Sequence, residues 1–321
     1  MRFGVFGVNF GVCADPEVAA EVAELAEELG FDSLWTGEHV VLPDPQAPPS
    51  PAPPRTPMLH PSTALAFLAA VTDEIRLGTG VTLVAQRNPV VLAKEMASLD
   101  VLAGGRLILG IGAGYLKAEF DALGADFQRR GRRTDEAIAV LRELWSSEAP
   151  EFAGEFSAFS GIQSRPRPPR RERTPIHGGG MSTAAYLRAA ALCQGWYGFA
   201  MDLESTAESL DGLDEALERV ARPDWLGDLE ISITPRQTPT LEDVEAYEDL
   251  GVDRLVLMIP QHDPAAVTDF LEEIAEELFD DDEDFDEDFD EDFDEDFDDD
   301  RDEDSRAGAD NGDGTPDPGR S

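Results

Sequence analysis

Lysine is nearly missing from this chain of 321 residues: Lys94 and Lys117 are the only two, and arginine carries the remaining positive charge. Cysteine is as scarce. Cys13 and Cys193 stand far apart, so no disulfide framework is implied, and each is expected to be a buried, inert thiol. No uninterrupted run reaches about 18 apolar residues, so a transmembrane helix is not expected. Met1-Arg2 runs straight into a strand-like segment without a signal-peptide pattern, and a cytoplasmic location is expected. The H-E-x-x-H, C-x-x-C, G-x-S-x-G and P-loop patterns are also absent. Zinc hydrolysis, serine hydrolysis and P-loop chemistry therefore lack support, and no metal is expected.

Negative charge, by contrast, is abundant. The chain has 68 acids against 25 bases, a net of −43. From Phe279 onward lie 23 acids and 3 bases, which leaves 68 − 23 = 45 acids and 25 − 3 = 22 bases elsewhere, a net of −23. A body acidic in its own right repels nucleic acid and anionic membranes, so neither is expected as a partner. It would also suit a high-salt cytoplasm, where screening weakens self-repulsion. In the last segment "DEDF" repeats four times from Asp282 to Phe297, ahead of a Gly/Asp/Pro-rich end. Charge this dense cannot bury itself, and the segment is expected to be a disordered tail. Function-neutral solvation and a docking or salt-adapting role are both open for it. The domain division expected is 1–278 for the folded body and 279–321 for the acidic tail.

Within the body, apolar runs of strand character alternate with helical runs. Strands are expected at residues 3–8, 33–36, 76–84, 107–111, 175–177, 196–199, 229–234 and 254–259. Helices are expected at 17–29, 63–71, 91–102, 134–145, 183–193, 203–220, 241–250 and 264–278. Asp15-Pro16 and Asp263-Pro264 pair a capping residue with proline at the first helical position, and Gly30 and Gly251 follow their helices. The fold class is α/β, and eight such units close a (β/α)8 TIM barrel, with an open doubly wound sheet as the alternative. Two insertions break the spacing. Residues 43–61 are too proline-rich for helix or inner strand and form either a surface excursion or a lid. Residues 146–174 contain "FAGEFSAF" and "RPRPPRRER".

A barrel of this kind carries its chemistry at the C-terminal ends of its strands. Strand two ends in "WTGEHV", with Glu38 and His39; a histidine exchanges protons near neutral pH and suits a proton donor or acceptor. Strand three carries Gly78 and Gly80 in the middle of "RLGTGVTLV", where glycine packs nothing and marks a bulge or a ligand close to the backbone. Strand four ends in "LGIGAGYL" and strand five in "IHGGGMS". A flat ring with a phosphorylated tail needs main chain without Cβ, which Gly80 and Gly114 are expected to supply. The run Gly178–Gly180 ahead of a helix is expected to receive a phosphate. Tight βα turns would also explain these glycines. "GIGAGY" fails the dinucleotide fingerprint because Tyr115 stands where its third glycine belongs. His60 and His262 are expected at the surface, His177 in packing, and the arginines of "QRRGRRTDE" in ion pairing at a helix entry.

"AEELGFDSLWTGEHVVLP", "IRLGTGVTLVAQRNPVVLAKEMASLDVLAGGRLILGIGAGYL", "RGRRTDEAIAVLRELW" and "PIHGGGMSTAAYLRAAALCQGWYGF" together resemble the bacterial luciferase-like superfamily of flavin- and deazaflavin-dependent oxidoreductases, over residues 1–278. The resemblance implies a (β/α)8 barrel that holds FMN or coenzyme F420 against a non-prolyl cis peptide, which maps onto Gly80-Val81. The irregularity in strand three would then be a bulge backing the ring. Ring-edge or phosphate contacts map onto Glu38, Thr82, Ala113, Gly114, Gly178 and Gly179, and His39 matches the catalytic histidine of the deazaflavin branch. With Gly80, Val81 and Gly180 these are the expected cofactor-binding residues. The sugar-phosphate dehydrogenases of that branch have an acid where this chain has Tyr115, and bind the sugar phosphate with lysines that Lys94 and Lys117 do not match, so that substrate is not expected.

The leading expectation is an F420-dependent oxidoreductase moving hydride to or from a small organic substrate. An FMN-dependent monooxygenase is the alternative, and a non-catalytic barrel binding partners through its acidic tail is a third reading. The sequence leaves the oligomeric state open, with a homodimer held as one outcome.

Overall fold

The computed structural model describes residues 1–279; the acidic segment beyond them, with the expectations placed on it, lies outside the described residues. Helix starts form where the sequence supplies caps. The Asp15 carboxylate accepts the amides of Glu17 and Val18 at the head of α1 (Pro16–Glu28), and Asn88 does the same for α3 (Pro89–Leu102). Ser182 caps α6 (Thr183–Leu192), while Asp202 and Thr240 make capping boxes for α7 (Leu203–Arg219) and α8 (Leu241–Asp249). The helices α2 (Pro61–Leu68), α5 (Arg130–Ser146) and α9 (Pro264–Phe279) complete the expected eight.

The strands β1 (Arg2–Phe6), β2 (Ser33–Thr36), β3 (Arg76–Thr79), β5 (Leu107–Gly112), β8 (Ile176–Gly179), β9 (Gly195–Met201), β10 (Glu230–Pro235) and β11 (Arg254–Met258) pair in parallel. β3 bonds to β2 on one side and to β5 on the other, through Leu77↔Leu107 and Gly78↔Ile108. That contact closes the sheet into an eight-stave (β/α)8 barrel and sets aside the open sheet.

The third stave is not the single strand expected at 76–84. It stops at Thr79 and resumes as β4 (Thr82–Leu83), with the peptide between Gly80 and Val81 in the cis form. Gly78 faces Ile108 and Thr82 faces Ile111, so four steps on this stave span three on its neighbour. One residue is in excess, which is a bulge. The glycines answer to the barrel's interior. Trp35 and Tyr197 stack there with centroids 5.1 Å apart and planes 9° from parallel. A Cβ on Gly78 would lie 2.5 Å from the Trp35 ring, and one on Gly80 would lie 2.9 Å from the Tyr197 hydroxyl. Each glycine thus makes room for one member of the stack.

Below the stack, at the N-terminal end, Arg254 is wholly buried and pairs with Asp32 through two nitrogens, with Glu230, and with Ser232. His177 lies 3.7 Å from the same Glu230. Outside the sheet a continuous apolar core fills the space beneath the helices. Phe279 ends α9 with its ring 5.3 Å from Phe3 and 5.1 Å from Phe31.

Two elements had no counterpart in the sequence reading. A short helix, α4 (Lys117–Leu123), follows β5, and the second insertion holds a hairpin of β6 (Phe152–Ala153) and β7 (Ala158–Phe159).

Candidate active site

Parallel pairing sets the C-terminal ends of β2, β4, β5 and β8 side by side. Glu38 and His39, Gly80 to Thr82, Ala113 and Gly114, and Gly178 to Gly180 therefore gather at one end of the barrel. The bulge turns Val81 across its neighbours. A Cβ on Gly112 would meet its side chain at 2.6 Å, and one on Gly179 would meet it at 3.0 Å. Glycine on two strands makes the seat of this valine, which stays half-buried and packs, as Phe10 does, against the inner aromatic layer. The expectation that Gly80 and Gly114 lack Cβ so that a ring can approach needs correcting in its reason. Tyr197 takes the space at Gly80. At Gly114 the backbone has φ +81°, and a Cβ would lie 2.7 Å from the Phe120 ring.

His39 sits in a chain of hydrogen bonds. Its Nδ1 is 3.3 Å from Glu119 Oε2, and its Nε2 is 3.3 Å from the Tyr115 hydroxyl. Glu119 comes from the unforeseen helix α4. Its side chain is fully buried and also accepts the Val40 amide at 2.6 Å and the Gln86 side-chain amide at 3.0 Å. Burial alone would push this carboxyl up; the hydrogen bonds from His39, Gln86 and Val40 outweigh it and hold Glu119 below the usual carboxylate range. A charged acceptor at Nδ1 keeps the proton of His39 there and leaves Nε2 to exchange with Tyr115. Tyr115 is half-exposed, and burial followed by the Glu119 charge raises its phenol. The His39 amide donates to Met58 Sδ at 3.1 Å, and Leu59 and Pro57 bond to the β1 loop through Asn9 and Gly11. The end of the proline-rich insertion is thus a fixed wall of the site.

Glu38 is buried and held from two sides. Its carboxylate pairs with Arg87 and accepts the Leu83 amide at 3.2 Å, which ties the β2 loop to the strand beyond the bulge. Burial followed by the charges of Glu95 and Glu119 sets the Arg87 guanidinium, with a net lowering of its pKa. Two arginines of the "QRRGRRTDE" run reach inward as well: Arg130 donates to the Gly114 carbonyl at 3.0 Å and Arg133 to the Ala85 carbonyl at 3.1 Å. Arg129 and Arg132 make the expected ion pairs, with Asp126 and Glu155.

At β8 the glycine run ends in Gly180 at φ +110°, a turn that favours glycine, and leads into α6. Among the described residues, the amides of Met181 and Ser182 have no backbone acceptor. They open toward the helix N-terminus, an arrangement that favours an anion. On the other side of Val81, the Thr82 hydroxyl is buried without a partner. A half-buried apolar seat flanked by an orphaned hydroxyl and by unpaired amides fits a planar heterocycle with a phosphate-bearing tail. Val81, Thr82, Ala113, Gly114 and Gly178 to Gly180 would hold such a group.

The remaining histidines lie elsewhere. His60 and His262 are exposed, and His177 is buried in the barrel floor. A cavity of about 500 Å³ adjoins the site through Gln86 and Arg87 but is not lined by His39 or the glycine runs. Glu119, Gln86 and Arg87 were missed by sequence reasoning.

The family of luciferase-like monooxygenases matches residues 1–316. The F420-dependent glucose-6-phosphate dehydrogenase of Amycolatopsis mediterranei is 28% identical over 248 residues, which is 74% of this chain and 71% of that protein. The oxygenase component of the flavin-dependent trigonelline monooxygenase of Acinetobacter baylyi is 32% identical over 158 residues, 49% of this chain and 41% of that one. Among solved structures, the monooxygenase RslO1 of Streptomyces bottropensis superposes with a TM-score of 0.68 at 22% identity, covering 87% of this chain and 99% of that one. The chain belongs to the luciferase-like monooxygenase family and is an oxidoreductase of that F420- and flavin-dependent group.

Proposed function

We propose that the protein uses coenzyme F420 to move hydride to or from a small organic substrate, with His39 handling the accompanying proton. The observation that carries this reading is the line Tyr115–His39–Glu119 at the same barrel end as Val81 and the glycine run. When bound, the deazaflavin supplies hydride transfer. The chain's own part is to bind, orient and manage one proton. Glu119 fixes the His39 tautomer, and Nε2 is left to give or take a proton at the reacting oxygen or nitrogen, in exchange with Tyr115. Glu38, pinned by Arg87 and the Leu83 amide, orients the ring edge, while the amides of Met181 and Ser182, after the glycine run, receive the phosphate. The likeness to the F420-dependent relative over 74% of this chain supports the same choice.

An FMN-dependent monooxygenase is the second reading, favoured by the 32% identity with the flavin-dependent relative. Fluorescence titration of the apo protein with F420 and with FMN separates the two. F420 binding with micromolar or tighter affinity is the expected result. Tight FMN binding with no F420 binding would overturn the proposal.

A further inference from the structure

Three phenylalanines crowd one side of the barrel mouth. Phe6 ends β1, and its ring lies 5.0 Å from that of Phe199 on β9. Two strands, β11 and β10, separate β1 from β9 in the sheet, so this contact crosses the interior of the barrel. Phe10, in the loop after β1, sets its ring edge-on to Phe6 at 5.8 Å. Met258 stands level with Phe6 in the parallel register and two residues past the inward Val256, which puts it on the same face. Phe199 and Met258 are each 41% exposed, although the interior of such a barrel is ordinarily a packed core. The backbone is bent at this point. Ala200 adopts φ +56°, a left-handed conformation that a residue with a Cβ keeps only where its surroundings impose it. Beside it the pairing of β9 with β10 slips by one residue between Thr234 and Pro235. A bulge of this kind re-aims a side chain next to a site. The wall also adjoins the proton-handling group. A Cβ on Gly37 would lie 3.3 Å from the Phe6 ring and 3.5 Å from that of Phe10, and His39 follows two residues on. Its other edge meets Val81, which packs against the same aromatic layer.

From this arrangement we infer that Phe6, Phe10, Phe199 and Met258 form the substrate face of the site, and that the substrate is a neutral aryl ketone or the matching secondary alcohol. A ring inserted here gains edge-to-face and offset contacts with three aromatic rings. No member of the wall carries a charge, so a phosphate or carboxylate would lose its water there without gaining a partner. The guanidinium of Arg236, just past β10, is taken up by Asp202 at 2.9 Å and by the Ala200 carbonyl at 3.3 Å. The polar groups left for the substrate are His39 and Tyr115, which suit a single oxygen. The role of that oxygen rests on the hydride-transfer function proposed above, whereas the selectivity of the wall does not.

Calorimetric titration of the full chain with acetophenone and with 4-acetylbenzoate tests this. The protein is loaded with oxidised F420 or FMN, whichever it takes, and is used bare if it takes neither. An oxidised cofactor cannot reduce the ketone, so binding is read without turnover. Acetophenone is expected to bind, and 4-acetylbenzoate to bind at least about 10-fold more weakly. Phe199→Ala is expected to weaken acetophenone at least about 10-fold. Phe199→Arg is expected to reverse the order, with 4-acetylbenzoate the tighter of the two. Phe199 is half-exposed, so circular dichroism and the melting curve of both variants should show an intact barrel. Phe10→Ala probes the same wall from the other side and should weaken acetophenone as well. No binding of acetophenone, equal binding of the two ketones, or an unchanged affinity in Phe199→Ala would overturn the inference. Tighter binding of cyclohexyl methyl ketone, the saturated counterpart, would overturn the aryl class. Failure to take up F420 bears on the function proposed above alone, since the ketone titration is read in either case.

Discussion

Glu119 and His39 meet across 80 residues of sequence, carboxylate to Nδ1 at 3.3 Å, with the carboxylate fully buried. Because Glu119 also accepts the Val40 amide, it fixes both the ring and the backbone just after it. Glu119→Gln keeps the shape and removes the charge. Turnover is expected to fall about 10-fold or more, and about 100-fold or more in His39→Ala, with cofactor affinity nearly unchanged in both. Steady-state turnover beside a cofactor titration measures the two quantities separately. Full turnover in His39→Ala would remove this residue from the chemistry.

How far the sequence discloses this site depends on the kind of signal. Strand 33–36 was placed to the residue, since its apolar run is short and bounded by a C-terminal glycine cap and a polar turn. Glu119 was invisible because α4 has seven residues and Leu116, at its N-cap position, offers no side-chain cap, so neither periodicity nor a start signal marks it. The glycines at 78, 80, 112 and 179 were legible as a group but not in their purpose. Their neighbours Trp35, Tyr197 and Val81 come from other strands, and only closure of the barrel brings them together.

That purpose gives a stability prediction. A Cβ on Gly110 would overlap the carbonyl oxygen of Thr79, which is backbone and cannot turn aside. Gly110→Ala is expected to cost about 3 kcal/mol. Gly80→Ala meets a side chain instead, the Tyr197 hydroxyl at 2.9 Å and two of its ring carbons at 3.0 Å, and its loss should be partly recovered when Tyr197→Leu takes the ring away. Denaturant unfolding of the two single variants and the double variant measures the coupling. Strict additivity of Gly80→Ala with Tyr197→Leu would contradict the packing described.

The pair of Glu38 and Arg87 supports another. Its carboxylate is about 1% exposed, so removing the guanidinium leaves a buried charge without its partner. Arg87→Gln is expected to destabilise the protein by about 3 kcal/mol and to weaken cofactor binding. Adding Glu38→Gln removes the stranded charge and should restore much of the stability while binding stays weak. Unfolding and titration on the same three proteins separate the two effects. A single variant as stable as the native protein would refute the pairing.

The barrel floor makes stability depend on pH in two windows. Burial pushes His177 down to about 4, against the pull of Glu230, whereas an unfolded histidine titrates near 6.5. The unfolded chain then binds more protons between those values, so stability falls as pH drops from about 6.5 to about 4. Burial alone would raise Glu230, but the Arg254 charge and then His177 and Arg2 bring it down to about 2, below its ordinary 4.5. Its contribution is present above about 4.5 and is lost as pH falls toward 2. The upper window overlaps the titration of the chain's many carboxylates, so only a variant that lacks the imidazole isolates it. Replacing His177 by glutamine keeps a polar side chain and deletes the titration. The stability difference between pH 6.5 and pH 4 is expected to shrink by about 3 kcal/mol relative to the native protein. Urea unfolding at a series of pH values records both curves. If they run parallel from pH 6.5 to pH 4, the acid sensitivity originates outside the barrel floor.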